Sequence, residues 1–600
     1  MSSQPEHPVY LPAGHVRQAG GKRIPLPVVG VCLLFGMLIM GSWLGNVPRA
    51  HDLRFHLSVL DQVREAMGRG DFYPRWLGDF NQGYGEPTLV FYPPLFYLAG
   101  GLLAQLPGIS TLDALVILLF FLSVLGAGGI YRLAAAAGGR LAGLIALGVF
   151  LVIPFRSFEL DAAGLFPAYA AGCLLPWALH SLWRLCSANQ APPAERRSRI
   201  LWCSGWLAMI VLCNLPYALL TFYLTAAAVA VLSLFHRKLF YFSLLFQAWA
   251  TAILLAAFFL LPAVLEWKDV TVPFTGRFIF ADNFIFAGSS SWMSPELKGI
   301  FARMLLLPLL VTVVGAGGIW KHWRSSKSTA GTAEWAVLLL TIALLAAFLT
   351  IPWSTFLWQR LPFVIHVNLP WRFLDPLGCA AAALAGVAAS AGLTGNGSAR
   401  WRWVTGFVLG ILGVLLLLAS LSALRMNGFE TRSSLLRELP RIRQMDGDYL
   451  PRNARRPVSG DPLPPIQVVA GEAAGQILHW WGSQREMMIR ARTSARLRFR
   501  SLWYEGWQAE WSSDGRAQPL TAMAGMNGLL EIVVPAGEGR LRIYFGTTPL
   551  RTAAGLASLA AWLFWVILLL GPGFRRRAAK GKQQTKPDSI ESTNFRIAGP

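Results

Sequence analysis

The part of this chain that decides its architecture reads HDLRFHLSVLDQV (51–63), then GDFYPRWLGDFNQGYGEP (70–87) and FYPPLFY (91–97). It is rich in acids, histidines and aromatic residues, and it separates the first two long apolar segments. Ionisable groups next to a bilayer are costly unless they serve a function. This stretch is therefore where the chemistry of the protein is expected.

The rest of the chain is dominated by apolar runs. Of its 600 residues, 54% are hydrophobic and 14% are charged, and the mean hydropathy is +0.47. Many runs approach the roughly 20 residues that cross a bilayer. They are Val28–Leu44, Leu115–Ala137, Leu141–Pro154, Leu239–Pro262, Met304–Ile319, Trp335–Ile351, Val404–Leu424 and Ala553–Leu570. We predict a mainly α, polytopic helical membrane protein with about twelve transmembrane helices.

The net charge of +22 does not indicate nucleic-acid binding, because the basic residues are concentrated in short loops and tails. This is the positive-inside pattern of membrane proteins. It places both termini in the cytoplasm and the stretch 51–97 outside, in a multi-pass protein of the cytoplasmic membrane with its active face extracytoplasmic. The clusters are Lys22/Arg23, Arg196/Arg197/Arg199, His236–Lys238, Lys321–Lys327, Arg400/Arg402 and Arg575–Arg577.

Two helices are predicted within the first outer loop. Apolar residues at helical spacing over Leu53–Met67 indicate an amphipathic helix along the interface. A second helix is expected over Leu95–Leu106, after Pro93-Pro94, since proline favours the first turn of a helix. We expect it to lie at the surface, because Arg132 and Arg140 then fall on the cytoplasmic side.

Residues 425–552 differ in kind from the membrane segments. In ARLRFRSLW (495–503) and GRLRIYFG (539–546) apolar residues alternate with arginines, a period typical of half-buried strands. We predict an extracytoplasmic β-sandwich before the last transmembrane helix. The six cysteines lie in or beside apolar runs without a CxxC pair, which argues against structural disulfides and a thiolate zinc site.

Asp52 is the leading catalytic candidate, because a carboxylate at the exit of the first helix is placed to act as a general base or to hold a metal. The structural alternatives are a helix cap or an ion pair with Arg54. His51 and His56 flank it as candidates for donor or acceptor binding. A divalent metal stays open; Asp52 and His56 would hold it, and no cofactor is certain.

Further candidates for donor or acceptor binding lie at the same predicted face. Arg75 and Arg372 offer guanidinium groups to a phosphate, or anchor the protein at lipid head groups. Tyr84 and Tyr92 offer rings that stack on sugars or form an interfacial aromatic belt. Glu266 ends a helix at the outer face.

Taken together, HDLRFHL, YPRWL…NQGYGEP, FYPPLFY, PAVLEWKD and LPWRF resemble the GT-C superfamily of membrane glycosyltransferases. The closest resemblance is to bacterial and archaeal membrane proteins labelled "6-pyruvoyl-tetrahydropterin synthase-related". The ending WYEGWQAEW…FGTTPLR resembles YfhO-like proteins. The similarity covers nearly all of residues 26–572.

The resemblance implies a sugar carried on polyprenyl phosphate, an acidic residue matching Asp52 that activates the acceptor or holds a metal, and Asp161 as a second acid. The acceptor is a glycan, a lipid or a protein. A non-catalytic protein that transports or assembles lipid-linked glycans is the alternative. The implied divisions are a disordered cytoplasmic tail (1–25), a GT-C-like membrane domain (26–424) with its first outer loop at 45–110, the β-sandwich (425–552), the last helix (553–572) and a second disordered tail (573–600).

Overall fold

A computed structural model describes residues 24–187, 191–272, 279–288, 294–325, 330–394, 399–455 and 463–571. The predicted disordered tails, 1–25 and 573–600, lie outside these ranges apart from Ile24 and Pro25. The chain is a polytopic membrane protein, mainly helical, with a domain of two β-sheets before its last helix.

The helices are α1 (Leu26–Leu44), α2 (Leu53–Gly68), α3 (Phe80–Gly83), α4 (Thr88–Phe91), α5 (Leu95–Leu103), α6 (Thr111–Leu151), α7 (Pro154–Ser157), α8 (Phe166–Cys186), α9 (Pro193–Cys213), α10 (Leu215–His236), α11 (Phe240–Leu255), α12 (Ala257–Leu265), α13 (Pro295–Ser325), α14 (Ala330–Leu349), α15 (Thr355–Arg360), α16 (Leu374–Thr394), α17 (Ala399–Leu424), α18 (Arg432–Ile442) and α19 (Pro549–Leu570). A π-helical turn, Phe158–Ala163, joins α7 to α8.

Within the described part of the chain, eight helices are long and apolar enough to cross a bilayer, and nine if the bent pair α11–α12 is one crossing. Helices α8 and α9 have 21 residues each but do not pass this test of length and composition. The number of about twelve crossings therefore stays a prediction.

Helix α6 folds back on itself at Gly139, where φ is +80°. A Cβ atom added to Gly143 would lie 2.5 Å from Cδ2 of Tyr131 and 2.9 Å from its backbone oxygen. In a straight helix these two residues would be separated by about 18 Å. The element is thus a helical hairpin, and the two apolar runs on either side of Gly139 are separate, as predicted.

The run Leu239–Pro262 was expected to be one helix, which is wrong. Helices α11 and α12 meet at an angle of 83° on either side of Ala256. The carbonyl of Leu255 accepts hydrogen bonds from Ser558 Oγ (2.6 Å) and Trp562 Nε1 (2.9 Å) of α19. The last helix therefore supplies the hydrogen bonds that the Leu255 carbonyl loses at the break, as a buried backbone acceptor requires.

The two helices predicted between the first two long apolar segments are confirmed. Helix α2 buries Leu57, Leu60 and Val63 and packs against α5, α6 and α18. Helix α5 has nine residues, about 13 Å of helix, and is too short to cross a hydrocarbon layer of about 30 Å. This segment is therefore too short to be a separate crossing, and the orientation of the chain stays a prediction.

Residues 425–455, called the connector here, lead from α17 and bind the first outer loop. Strand β1 (Asn46–Pro48) pairs antiparallel with β3 (Phe429–Thr431) of the connector. Backbone amides of Asn81 and Gln82 donate to the carbonyls of Met445 (2.9 Å) and Gln444 (3.1 Å). Strand β2 (Val270–Thr271) pairs with β4 (Leu450–Pro451).

The buried carboxylate of Glu86 fixes the connector on the loop. It accepts hydrogen bonds from Thr88 Oγ1 (2.8 Å) and from the backbone amides of Asp448 and Tyr449 (both 3.2 Å). A Cβ atom at Gly447 would lie 2.0 Å from this carboxyl group, so only glycine leaves room for it. This anchoring brings the connector against the predicted catalytic loop.

The C-terminal domain is an antiparallel sandwich. One sheet has the strand order β10-β9-β13-β7-β6 and the other β11-β12-β8-β5. Inward-facing side chains of the two sheets, such as Ile489, Phe499 and Ile543, share one core. The strands are β5 (Ile466–Ala470), β6 (Ala473–Trp481), β7 (Gln484–Ala491), β8 (Ala495–Leu502), β9 (Trp507–Ser513), β10 (Arg516–Leu520), β11 (Ala522–Ala524), β12 (Leu529–Val534) and β13 (Gly537–Phe545). Strands β8 and β13 are those that the alternation predicted.

Candidate active site

The backbone of Asp52 is held by the π-helical turn before α8. The amide of His51 donates to the carbonyl of Ala162 (3.0 Å), and the amide of Asp52 donates to that of Ala163 (2.9 Å). Gly164 follows with φ of +72°, and a Cβ atom there would lie 3.2 Å from the Asp52 nitrogen. Turns of π-helix are frequently found at functional sites, and this one fixes the backbone position of Asp52.

The side chain of Asp52 has neither structural role considered for it. It occupies the N-cap position of α2 but makes no capping hydrogen bond. Arg54 instead binds Glu430 (2.9 and 3.1 Å) and Glu438 (2.9 Å) of the connector. The contact that Asp52 Oδ1 does make is with Nδ1 of the exposed His51 ring, at 2.6 Å. This hydrogen bond raises the pKa of His51.

Behind Asp52 lies a group of buried rings. Nδ1 of His56 is 2.6 Å from the hydroxyl of Tyr97. The Tyr92 ring lies 6.3 Å from that of His56 and 5.7 Å from that of Tyr97, between centroids. Burial lowers the pKa of His56 to about 4, so its ring is neutral at pH 7. The negative charge of Asp52 acts on all three rings.

Arg372 joins the same group from the turn that opens α16. Its Nη1 donates to the carbonyl of Val367 (3.0 Å), while Nε is buried with no hydrogen-bond partner among the described residues. Its charge interacts with Asp52, Tyr92 and Glu159. We call Asp52, His56, Tyr92, Tyr97 and Arg372 the Asp52 cluster. The sequence predicted four of these five residues.

A buried ionic network adjoins the cluster. Arg156 pairs with Asp375 (3.1 Å), whose second oxygen accepts from the hydroxyl of Tyr217 (2.5 Å). Glu159, in the π-helical turn, has one carboxylate oxygen with no partner among the described residues, and burial raises its pKa well above the usual range. Glu159 interacts with both Asp375 and Arg372, so this network is electrostatically joined to the cluster.

Four other candidates lie elsewhere. The Arg75 guanidinium stacks on the Tyr73 ring at 4.3 Å. Tyr84 accepts a hydrogen bond from the amide of Leu463 (3.2 Å), next to the sandwich. Glu266 accepts hydrogen bonds from Arg551 Nε (3.0 Å) and Nη2 (2.6 Å). Asp161 accepts from Trp43 Nε1 (2.9 Å) of α1, and its burial raises its pKa to about 7.

Among the described residues, the fold does not add a third metal ligand to Asp52 and His56. In the ranges that the structure describes, no group of three or more His, Cys, Asp or Glu side chains is arranged to hold a metal ion. The Nδ1 atom of His56 is already engaged with Tyr97. Metal dependence stays a prediction.

Sequence reasoning missed Tyr97, Tyr449 and Asp448. Tyr97 was part of the quoted FYPPLFY, and its position after the two prolines on the surface helix was the available signal. Tyr449 stacks on Phe91 (5.4 Å) and approaches Tyr92 (6.4 Å), and the charge of Asp448 acts on Tyr92. Both arrive through the connector, more than 350 residues along the chain, and no local pattern indicates this.

No protein-family model matches the chain, and no curated protein matches its sequence. Among solved structures, it is similar to ArnT from Cupriavidus metallidurans bound to undecaprenyl phosphate (TM-score 0.41, 15% identity, 70% of this chain and 73% of that chain). It is also similar to the arabinofuranosyltransferase AftD from Mycobacteria (0.44, 16%, 68% and 27%). A third is the oligosaccharyltransferase AglB from Archaeoglobus fulgidus, in complex with an inhibitory peptide and a dolichol-phosphate (0.41, 12%, 68% and 56%). Because these TM-scores and identities are low, the function is argued from the site residues. The closer resemblance to the pterin-synthase-related and YfhO-like proteins stays a prediction.

Proposed function

We propose that this chain is a membrane glycosyltransferase that transfers a sugar from a polyprenyl-phosphate donor to an acceptor hydroxyl at the outer face of the cytoplasmic membrane. One observation carries the proposal. The Asp52 carboxylate lies at the start of α2 without a capping hydrogen bond and without an ion pair to Arg54. The guanidinium of Arg372, whose Nε has no hydrogen-bond partner among the described residues, interacts with it electrostatically from the same cluster. Such a pair offers a base and an anion site together.

Asp52 is the base of the proposed reaction. The oxygen of the acceptor hydroxyl forms a bond to the anomeric carbon while the bond from that carbon to the phosphate oxygen breaks. Asp52 takes the hydroxyl proton, and polyprenyl phosphate leaves with the bonding electrons. Attack from the face opposite the phosphate inverts the anomeric centre. General-base assistance of this kind typically contributes about a hundredfold or more to the rate.

Arg372 is assigned to the phosphate of the donor. Arg372 lies in the turn that precedes α16, and its Nε makes no hydrogen bond within the described ranges. A fixed guanidinium binds two phosphate oxygens at once and stabilises the charge that develops on the leaving group. The neutral rings of His56, Tyr92 and Tyr97 would form the wall against which the sugar lies. The sequence resemblance, rather than this geometry, names polyprenyl phosphate as the carrier.

The test is bond cleavage by the purified full-length protein in nanodiscs. A panel of polyprenyl-phosphate-linked hexoses and pentoses is added with envelope extract as the acceptor source, and released polyprenyl phosphate is measured. We expect release with at least one donor. If the whole panel stays intact while the protein moves a fluorescent lipid-linked sugar across liposome membranes, transport replaces transfer as the function.

Glu438→Gln is a matched control in this assay. Glu438 lies in the connector, is half-exposed and binds Arg54, which is two residues from Asp52. In the variant Arg54 keeps its other partner, Glu430. Its neutral variant should therefore release polyprenyl phosphate at the wild-type rate. A loss of release in this variant would show that negative charge in the region, rather than a particular carboxylate, is what the reaction needs.

A further inference from the structure

A pocket separate from the Asp52 cluster lies between the first outer loop and the sandwich. Its volume is about 240 Å³. The end of α2 and the loop 76–83 form one wall, and the β6–β7 turn and β8 form another. A Cβ atom at Gly78 would lie 2.4 Å from Cα of Gly482, so the two walls meet backbone to backbone.

Arg485 lines this pocket and is only 1% exposed. Its Nη2 donates to Ser501 Oγ (3.1 Å), but Nε and Nη1 have no partner among the described residues. The guanidinium lies between two indole rings, 4.7 Å from that of Trp480 and 4.7 Å from that of Trp507. A buried charge without a counter-ion is strongly unfavourable, so this arrangement calls for an anion.

The charges around Arg485 do not supply that anion. Within the described ranges, the charged side chain that acts on it is Arg500, which has the same sign. The carboxylates that line the pocket already have partners: Asp71 accepts from Ser483 Oγ (3.1 Å), while Glu65 and Asp79 bind Arg443. With Arg69 included, four arginines face three acids. The pocket therefore has an excess of positive charge at its buried end.

The remaining lining indicates what carries the anion. The half-buried Trp481 offers an aromatic face, one side of which is 4.7 Å from the guanidinium of Arg69. Gln82, Gln444 and Gln484 add amide groups, which both donate and accept hydrogen bonds. Flat apolar faces beside amides suit a ring with C–H and hydroxyl groups better than they suit a bare ion.

We propose that this pocket binds an anionic saccharide, with the carboxylate or phosphate of the sugar held by Arg485 and Arg500. Two guanidiniums match the planar or tetrahedral oxygens of such a group through paired hydrogen bonds. The inference does not depend on sugar transfer, because the Asp52 cluster takes no part in it. Its place on the sandwich would give the protein a second hold on an acidic glycan.

Binding to the full-length protein in nanodiscs tests the proposal without any turnover. The probes are trigalacturonate, the neutral maltotriose and inorganic phosphate, each titrated by calorimetry. We expect trigalacturonate to bind wild type and maltotriose to bind at least tenfold more weakly. If phosphate binds as tightly as trigalacturonate, the pocket recognises a free oxyanion and the saccharide assignment is overturned.

Three variants locate the binding. Arg485→Gln and Arg500→Gln should each weaken trigalacturonate at least tenfold. Arg490→Gln is the control, since Arg490 lies on the same strand β7 but is 75% exposed and paired with Glu538. If Arg485→Gln misfolds because Arg485 is buried, Arg500→Gln still tests the proposal. The melting temperature of each variant shows whether it is folded. Equal binding in all four proteins, or no binding to wild type, would overturn the proposal.

Discussion

The Asp52 cluster and the contact between Glu266 and Arg551 each contain a carboxylate and a guanidinium, which form an ion pair in the second but not in the first. Glu266 accepts from Arg551 Nε (3.0 Å) and Nη2 (2.6 Å) and from the hydroxyl of Tyr504 (3.0 Å). Both side chains of that pair are buried. Asp52 and Arg372 interact across a distance without forming a pair. Both oxygens of Glu266 are bound within the protein, whereas Asp52 contacts the exposed ring of His51 through Oδ1 and its carboxylate is itself partly exposed.

Whether a carboxylate is paired within the protein distinguishes a structural residue from a candidate catalytic residue better than its residue type or its position does. Sequence alone placed Glu266 and Asp52 together as outer-face acids. In the structure Glu266 ties α12 to the start of α19 and to the sandwich, a role that explains its burial without a ligand. A buried pair whose carboxylate has both oxygens bound is costly to break. The predictions below are ordered by how far each should separate the two sites.

Arg551→Ala should have the largest effect, and on stability. It leaves the Glu266 carboxylate buried without its partner, which typically costs about 3–5 kcal/mol. Unfolding in mixed micelles measures this loss, and transfer per folded molecule should stay near wild type. Arg490→Ala at the exposed sandwich surface is the comparison and should not move the transition. If both variants behave alike, the Glu266–Arg551 pair is not the tie that we describe.

Asp52→Asn should abolish transfer while the unfolding transition stays in place. Loss of a general base removes about a hundredfold or more of the rate, whereas loss of a cap would cost only about 1 kcal/mol of stability. Turnover of radiolabelled donor, normalised to folded protein, separates these outcomes. Turnover within a few-fold of wild type would assign Asp52 to structure.

Gly164→Ala should slow transfer without weakening donor binding. The added Cβ atom would meet the backbone at Asp52 and Leu53, and φ of +72° is strained for alanine. A displacement of the base by a fraction of an ångström to 1 Å should lower kcat by about tenfold to a hundredfold. Gly148→Ala, where a Cβ atom meets nothing within 4 Å, is the control. An unchanged kcat would remove the π-helical turn from the positioning of Asp52.

Arg372→Lys should have the smallest effect, a several-fold loss of donor affinity, and Arg372→Ala a larger one. Lysine keeps the charge but loses the paired hydrogen bonds of the guanidinium. Donor titrations at fixed acceptor concentration measure the change, and the KM for acceptor should hold. Superimposed curves for wild type and Arg372→Lys would indicate an interfacial anchor that contacts any lipid.

Much of this architecture is readable from local pattern. Alternation in ARLRFRSLW predicted β8, and Pro93-Pro94 predicted the start of the helix that follows them. The bend at Ala256 was not readable, because the side chains that satisfy Leu255 come from α19, about 300 residues later. In the site, Asp52 and Arg372 follow from chemistry and position. Tyr449 does not, since only the fold brings the connector to Tyr92.

The connector also affects when the first outer loop can fold during synthesis. Arg443 binds Asp61, Glu65 and Asp79, so a single side chain holds three acids of the first outer loop. Asp79 precedes it by 364 residues. At a synthesis rate of roughly 5–20 residues per second, the loop waits roughly 20–70 s for this arginine. During nascent-chain growth Asp61 and Glu65 have their helical neighbours Arg64 and Arg69 as ion-pair partners but lack Arg443. The loop therefore reaches its final shape only when most of the membrane helices have been made.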